Sequence, residues 1–128
     1  MKVERLDHLV LTVRDINTTI EFYTSIMGME TVTFGSGRVA LTFGNQKINL
    51  HQKDKEFEPK AGTVQTGSAD LCFIIDQPVT EAINHLNKYN LTVIEGPVQR
   101  TGATGKISSL YFRDPDENLI EISNYIAE

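Results

Sequence analysis

A chain of 128 residues suits one domain, long enough to bury about two-thirds of the surface that its unfolded form exposes. Hydrophobic residues make up 40% and charged residues 23%, ordinary globular usage that argues against long disordered stretches. The formal net charge is -5 with the basic residues scattered, so a nucleic-acid partner is not expected, and no apolar run approaches the ~20 residues that span a bilayer. The single cysteine, Cys72, has no partner for an internal disulfide. With a charged strand and no leader pattern at the N-terminus, a reducing cytoplasm is the expected location.

In chain order, Leu6 to Val13 reads as a strand. Asp15 then caps a helix whose apolar stripe is Ile16, Ile20, Tyr23 and Met27, with Gly28 as its stop. Strands follow at Thr31 to Phe34, Arg38 to Phe43 and Gln46 to Gln52, the last two joined by a tight Gly44-Asn45 turn. From Ala69 the order restarts with a strand at Asp70 to Ile75. Pro78 then opens a helix with the stripe Val79, Ile83, Leu86 and Tyr89, ending at Asn90. Strands at Thr92 to Glu95, Lys106 to Arg113 and Asn118 to Tyr125 complete the second half, the last pair separated by the Asp114-Pro115-Asp116-Glu117 turn. The chain therefore reads as two βαβββ modules of an α+β domain spanning 1–128: the first about 1–52, a polar connection or lid at 53–68, and the second about 69–128.

Alternation sorts these strands into two faces, because successive side chains point to opposite sides. Leu9, Leu11 and Val13 point to a core, as do Ile48 and Leu50, Leu71 and Phe73, and Ile120 and Ile122. The opposite faces carry His8, Val10 and Thr12; Lys47, Asn49 and His51; Asp70, Cys72 and Ile74; and Leu119, Glu121 and Ser123. A face that mixes imidazole, carboxylate, amide and aliphatic groups reads as a cavity wall.

The segments LDHLVLTVRD, IEFYTSIMGM and YFRDPDENLIEI resemble the vicinal oxygen chelate superfamily of glyoxalase I, fosfomycin-resistance enzymes, bleomycin-binding proteins and extradiol dioxygenases. The stretches INLHQ, EFEPKA and EGPVQRTGATG are similar to its short glyoxalase-domain members, including the glyoxalase domain-containing protein 5-like group and bacterial virulence-associated homologues. The resemblance implies paired βαβββ modules forming a cup-shaped mixed sheet, and a homodimer. It carries the metal ligands of the family onto His8 and Glu121. Two further ligand positions depart from the pattern: Asp70 stands where metal-dependent members usually have His, and Asn49 where glyoxalase I has Glu. His51, two residues past Asn49 on the same face, is an alternative imidazole.

Such a set suits a divalent ion with open positions for two neighbouring substrate oxygens. Zn, Ni, Mn, Fe and Mg all stay candidates; one imidazole with two carboxylates leans toward the harder Mn or Mg. Glu121, Asp70 and His51 are the candidate catalytic groups, able to move a proton alpha to a carbonyl. Asn49, Arg100, Thr101, Tyr111 and Arg113 are the candidate substrate contacts. Arg100 and Thr101 open a Gly-rich basic turn, while Arg113 can equally pair with Asp114 or Asp116 at the surface. Phe57 and Lys60 would cover the mouth of the cup if the connection closes.

The expected function is a metal-dependent lyase or isomerase acting on a small oxygenated metabolite or thiol adduct. Two alternatives are a metal-free drug-binding protein of the bleomycin-resistance kind and an extradiol-type dioxygenase. The dioxygenase reading depends on His51 as a second imidazole. Fosfomycin modification is disfavoured by Val10, where those enzymes carry threonine.

Overall fold

The computed structural model describes residues 1–127 and divides into two compact units, Met1–Gly67 and the chain from Ser68 onward. The first unit contains β1 (His8–Val13), α1 (Ile16–Ser25), β2 (Glu30–Phe34), β3 (Arg38–Phe43) and β4 (Gln46–Gln52). The second contains β5 (Asp70–Ile74), α2 (Val79–Lys88), β6 (Glu95–Thr101), β7 (Lys106–Arg113) and β8 (Leu119–Tyr125). Each unit builds one four-stranded mixed sheet, ordered β1-β4-β3-β2 in the first and β5-β8-β7-β6 in the second. In both sheets the first strand runs parallel to the last strand of its unit, and the other pairs are antiparallel. The α+β architecture of two βαβββ units is the one the pattern predicts.

Local chemistry explains the element ends. Asp15 accepts from the backbone N–H of Asn17 at 2.9 Å and of Thr18 at 3.4 Å, capping α1. The helix ends at Ser25, before Met27, and Gly28 takes a positive φ of 68° just beyond it. Its buried stripe is Thr19, Phe22 and Tyr23, so Ile16 and Ile20 are only half-buried. In α2 the buried stripe is Val79, Ala82 and Leu86; Tyr89 is exposed past the helix end and stacks edge-on against His85. Each helix packs on one face of its own sheet, α1 on β2 to β4 and α2 on β7 and β8. That face of the first sheet supplies the core residues Leu11, Val13, Leu41, Ile48 and Leu50; that of the second supplies Leu110, Phe112, Ile120 and Ile122.

One strand departs from expectation. The predicted strand at Thr92 to Glu95 lies three residues further on, and the supposed turn from Arg100 to Lys106 shrinks to the residues between β6 and β7. Gly96 and Pro97 hide the strand, since both residues ordinarily interrupt one. Here they occupy an edge strand, and the pairing shifts between Glu95 and Val98.

The turn before β8 is a polar core of its own. Asp114 is buried, and its Oδ1 accepts from the N–H of Asp116 at 2.9 Å and of Asn118 at 3.0 Å; its Oδ2 accepts from Asn118 Nδ2 at 2.8 Å. Asn118 Oδ1 in turn accepts from the N–H of Ala69, tying the start of β5 to the turn.

Candidate functional site

The face of each sheet turned away from its helix carries the chemistry. In the first unit the parallel register sets His8 opposite Lys47, Val10 opposite Asn49 and Thr12 opposite His51. In the second it sets Asp70 opposite Leu119, Cys72 opposite Glu121 and Ile74 opposite Ser123. The two units therefore present the same diagonal: the first residue of the opening strand, and a residue two positions further along the strand beside it. His8 with Asn49 is that pair in the first unit; Asp70 with Glu121 is its counterpart in the second.

The His8 ring is oriented by its neighbour. Asp7 Oδ2 lies 2.8 Å from His8 Nδ1, and because a carboxylate only accepts, Nδ1 carries the proton and donates it. That leaves the Nε2 lone pair available, the arrangement by which carboxylates prepare histidines as metal ligands. The hydrogen bond from His8 holds the Asp7 carboxyl below its ordinary pKa. Asn49 contributes a different signal: its Oδ1 is buried and has no hydrogen-bond partner. A buried amide oxygen left unpaired is costly, and an incoming cation or donor would relieve it.

His51 belongs to another neighbourhood. It lies four strand positions from Lys47 and the His8 row, roughly 13 Å along the sheet. The residue is 8% exposed, and its ring meets Phe57 of the connecting segment edge-on, centroids 5.6 Å apart. Burial, together with the Arg38 guanidinium, pulls the His51 pKa below its ordinary value. The connecting segment thus lies on the first unit's own sheet through Phe57, while Lys60 pairs with Glu56 at 3.2 Å.

In the second unit Glu121 lines a cavity of about 440 Å³ with Cys72, Arg100, Thr101, Tyr111 and Tyr125 among its walls. Ser109 Oγ donates to Glu121 Oε2 at 2.6 Å, with a weaker contact from Ser123 at 3.5 Å. Ser123 Oγ lies 2.7 Å from Ser109 Oγ, and Cys72 Sγ lies 3.3 Å from Ser123 Oγ. Each of these groups owns one proton. Ser109 commits its proton to the carboxylate, so Ser123 donates to Ser109 and the Cys72 thiol donates to Ser123. The chain has one polarity and ends on Glu121. Burial pushes the Cys72 thiol above its ordinary pKa against the pull of the Ser123 hydrogen bond, and the Glu121 charge adds to the rise.

Tyr111 is the cross-strand neighbour of Glu121 in the β7–β8 pair, and Arg100 of β6 lies beside it. Arg100 Nε donates to the Tyr111 hydroxyl at 3.1 Å, and an Arg100 Nη2 to Glu95 contact of 3.1 Å fixes the other side of the guanidinium. Burial raises the Tyr111 pKa against the pull of Arg100, and the Glu121 carboxylate raises it further, so the phenol stays protonated at neutral pH. Arg100 and Thr101 act from a strand and its end, not from a flexible turn. Arg113 stands at the end of β7, exposed, and donates to the Glu117 carbonyl at 3.4 Å. The surface pairing foreseen for it with Asp114 or Asp116 does not form, because both carboxylates are buried within the turn. Ser109 and Asp7 are the residues that sequence reasoning missed. Alternation along β7 places Ser109 on the face of Tyr111, which was the available signal.

A profile described as the Glyoxalase/Bleomycin resistance protein/Dioxygenase superfamily matches residues 5–122. The chain belongs to that superfamily. Within it, Virulence protein STM3117 of Salmonella typhimurium is 56% identical over 98% of this chain and 88% of its own length. Glyoxalase domain-containing protein RDO1 of Mycosarcoma maydis is 58% identical over 98% of this chain and 70% of its own length. An integron cassette protein from the mobile metagenome of V. cholerae superposes with a TM-score of 0.96 at 60% identity, covering 98% of both chains. Two more distant solved structures agree in fold alone. Lactoylglutathione lyase from Agrobacterium tumefaciens has a TM-score of 0.74 at 20% identity, covering 97% of this chain and 96% of its own. The fosfomycin resistance protein FosX from Listeria monocytogenes, complexed with Mn(II) and sulfate, has 0.69 at 21%, covering 99% and 94%.

Proposed function

We propose that this protein is a metal-dependent enzyme of the glyoxalase kind, a lyase or isomerase acting on a small metabolite that presents two neighbouring oxygens. The observation that carries the reading is Glu121, a carboxylate in a cavity wall whose Oε2 accepts from the buried Ser109 hydroxyl. The donor chemistry fits a divalent ion. His8 offers a prepared Nε2, Glu121 and Asp70 offer carboxylates, and Asn49 offers a buried amide oxygen that lacks a partner. The carboxylate oxygens that the second unit offers favour a hard ion such as Mn or Mg over Zn or Ni. His51 stands outside this set, four positions along the sheet and beneath Phe57, which also weakens the dioxygenase alternative.

Bound there, the ion would act as a Lewis acid on the substrate oxygens. The chain's own groups supply the rest. A substrate carbonyl seated against Tyr111 meets a protonated phenol held in place by Arg100, which donates to the oxygen as negative charge develops. Glu121 and Asp70 are the carboxylates on that face, able to take a proton from the carbon alpha to that carbonyl. Ile107, Ile74 and Ala103 supply the apolar part of the same cavity.

A metal-free binding module is the second reading. It is favoured by the fact that, among the described residues, no group of three or more His, Cys, Asp or Glu side chains gathers into a metal site. Metal analysis separates the two. Protein stripped with chelator and incubated with Mn(II) is expected to hold close to one ion per site, and His8→Ala and Glu121→Ala to hold little. Wild-type protein that stays empty with Mn, Fe, Zn, Ni and Mg would leave the binding module as the better reading. We extend the proposal to assembly as a homodimer. Sedimentation should then give twice the 14.3 kDa chain mass, and a sharp monomer boundary at micromolar concentration would refute it.

A further inference from the structure

The cavity of the second unit changes character along its length. Alternation puts Glu121, Ser123 and Tyr125 of β8 on the face turned from α2, with Tyr111, Ser109 and Ile107 of β7 opposite them in that order. Glu121 and Tyr125 are four strand positions apart, roughly 13 Å along β8. On the other side of β8, Cys72 and Ile74 of β5 lie opposite Glu121 and Ser123. The polar groups gather at one end, because Arg100 lies opposite Ile107 in register yet donates from Nε to the Tyr111 hydroxyl, beside Glu121. Ile107, Ile74, Ala103 and the Tyr125 ring are left at the other.

The tip of the β6–β7 hairpin closes that second end. The Thr104 N–H donates to the Tyr125 hydroxyl at 3.3 Å, which anchors the phenol at the tip. A Cβ on Gly102 would stand 2.9 Å from Ile107 Cγ2 and 3.2 Å from Tyr125 Cε1, so the tip already packs against both side chains. Ile107 is therefore only 4% exposed although it points away from the helix, whereas Ile74 and Tyr125 stay 56% and 43% exposed. Two large apolar side chains open to water in the wall of one cavity make a surface that is stabilised when apolar atoms cover it. The cavity volume of about 440 Å³ falls within the range of small-ligand sites, roughly 300–1,000 Å³. Because this apolar surface is continuous with the Glu121 end, the occupant that matches the whole cavity is a small molecule polar at one end only.

We propose that Ile74, Ile107, Ala103 and Tyr125 form an apolar subsite, so that the ligand of this cavity carries its neighbouring oxygens at one end of an apolar chain. The oxygens meet Glu121 and Tyr111, and the chain runs along β8 over Ile74 to the Tyr125 ring. Ile74 and Tyr125 thereby set which chain lengths are accepted. The inference rests on the reading of the Glu121 end as the place of the substrate oxygens, but the apolar subsite is testable without metal or turnover.

The test is a proton–nitrogen correlation NMR titration of chelator-treated full-length protein with the terminal vicinal diols of propane, butane, pentane and hexane. Their paired hydroxyls are neutral and need no ion, and each step adds one methylene. Affinity should rise by about two- to fourfold per methylene, with the amides of Ile74, Ala103 and Tyr125 shifting. The hexane triol with a further hydroxyl on the far terminal carbon should bind no better than the propane diol. Ile74→Thr and Tyr125→Ala should each flatten the series, while the propane diol, too short to reach them, binds as before. Tyr89→Ala, at an exposed ring beyond the end of α2, should leave the series unchanged. Should Tyr125→Ala fail to fold, Ile74→Thr decides alone, because that side chain is open to water already. A flat series in wild type, as expected if a second copy of the chain covers Ile74, would overturn the proposal. So would a triol that binds like the hexane diol, a slope unchanged in Ile74→Thr, or an equal loss of slope in Tyr89→Ala. Mn(II) uptake by wild type separates the two inferences. A rising series in protein that takes up no ion keeps the subsite and refutes the metal-dependent reading alone; a flat series with full uptake does the reverse.

Discussion

Ser109 is the residue on which the Glu121 carboxylate depends. It is fully buried and donates at 2.6 Å to Glu121 Oε2, so Ser109→Ala removes the group that orients the carboxylate. If Glu121 is a ligand, this change should weaken Mn(II) uptake by about ten- to a hundredfold with little change in circular dichroism. Ser109→Thr should recover part of that loss. Unaltered uptake in Ser109→Ala would remove Ser109 from the site. Part of this chemistry was legible in the sequence. Alternation alone put His8, Asn49, His51, Asp70 and Glu121 on inner faces, and all five lie on the faces turned from the helices. What alternation lacks is position along the strand. His51 and His8 share a face, yet pairing register sets them roughly 13 Å apart, a distance that depends on which strands are neighbours.

At the scale of elements, end signals were the most readable and backbone exceptions the least. Asp15 caps α1 as its position before the stripe suggests, and Asp15→Ala should cost about 1 kcal/mol in urea unfolding, without moving the slope of the transition. A loss below about 0.3 kcal/mol would mean that Asn17 and Thr18 find other acceptors. β6 gives the opposite lesson. Gly96 has a φ of 114°, and a Cβ there would collide with the Ser109 carbonyl and touch the Cα of Leu110 at 3.0 Å. A glycine is required because the edge strand crowds β7 at this point. Gly96→Ala should therefore destabilise by more than about 2 kcal/mol, well beyond an ordinary surface substitution. Because the collision falls on Ser109, Mn(II) uptake should fall in the same variant. A thermal midpoint equal to wild type would show that the strand yields without strain. From sequence, Gly-Pro pointed to a strand end, since nothing local signals that the partner strand will tolerate the shift in pairing.

For the whole molecule, acid sensitivity follows from a buried imidazole. His51 has its pKa depressed by burial and by Arg38, so the folded chain binds fewer protons than the unfolded chain, whose histidine titrates near 6.5. Stability from this group is fully present above about 6.5 and is lost as pH falls through that value toward the lower folded-state pKa. The slope from one proton cannot exceed about 1.4 kcal/mol per pH unit. Urea unfolding of metal-free protein at pH 7.5 and at pH 5 should give a smaller free energy at pH 5. His51→Gln cannot gain the charge and should lose less over the same interval. Equal losses in both proteins would assign the acid response to other groups, such as the Glu56 carboxylate. Burial pushes the Glu56 pKa up, but Lys60 brings it below its ordinary value overall, so that contribution is lost only at lower pH. The two windows are separable because His51 titrates above pH 5 in the unfolded chain and Glu56 below it. Protonated His51 would also face Arg38 and press on Phe57, the ring that holds the guanidinium. The same titration should therefore loosen the connecting segment, and faster backbone hydrogen exchange in residues 53–60 at pH 5 than expected from intrinsic rates, abolished in His51→Gln, would tie local opening to the loss of stability.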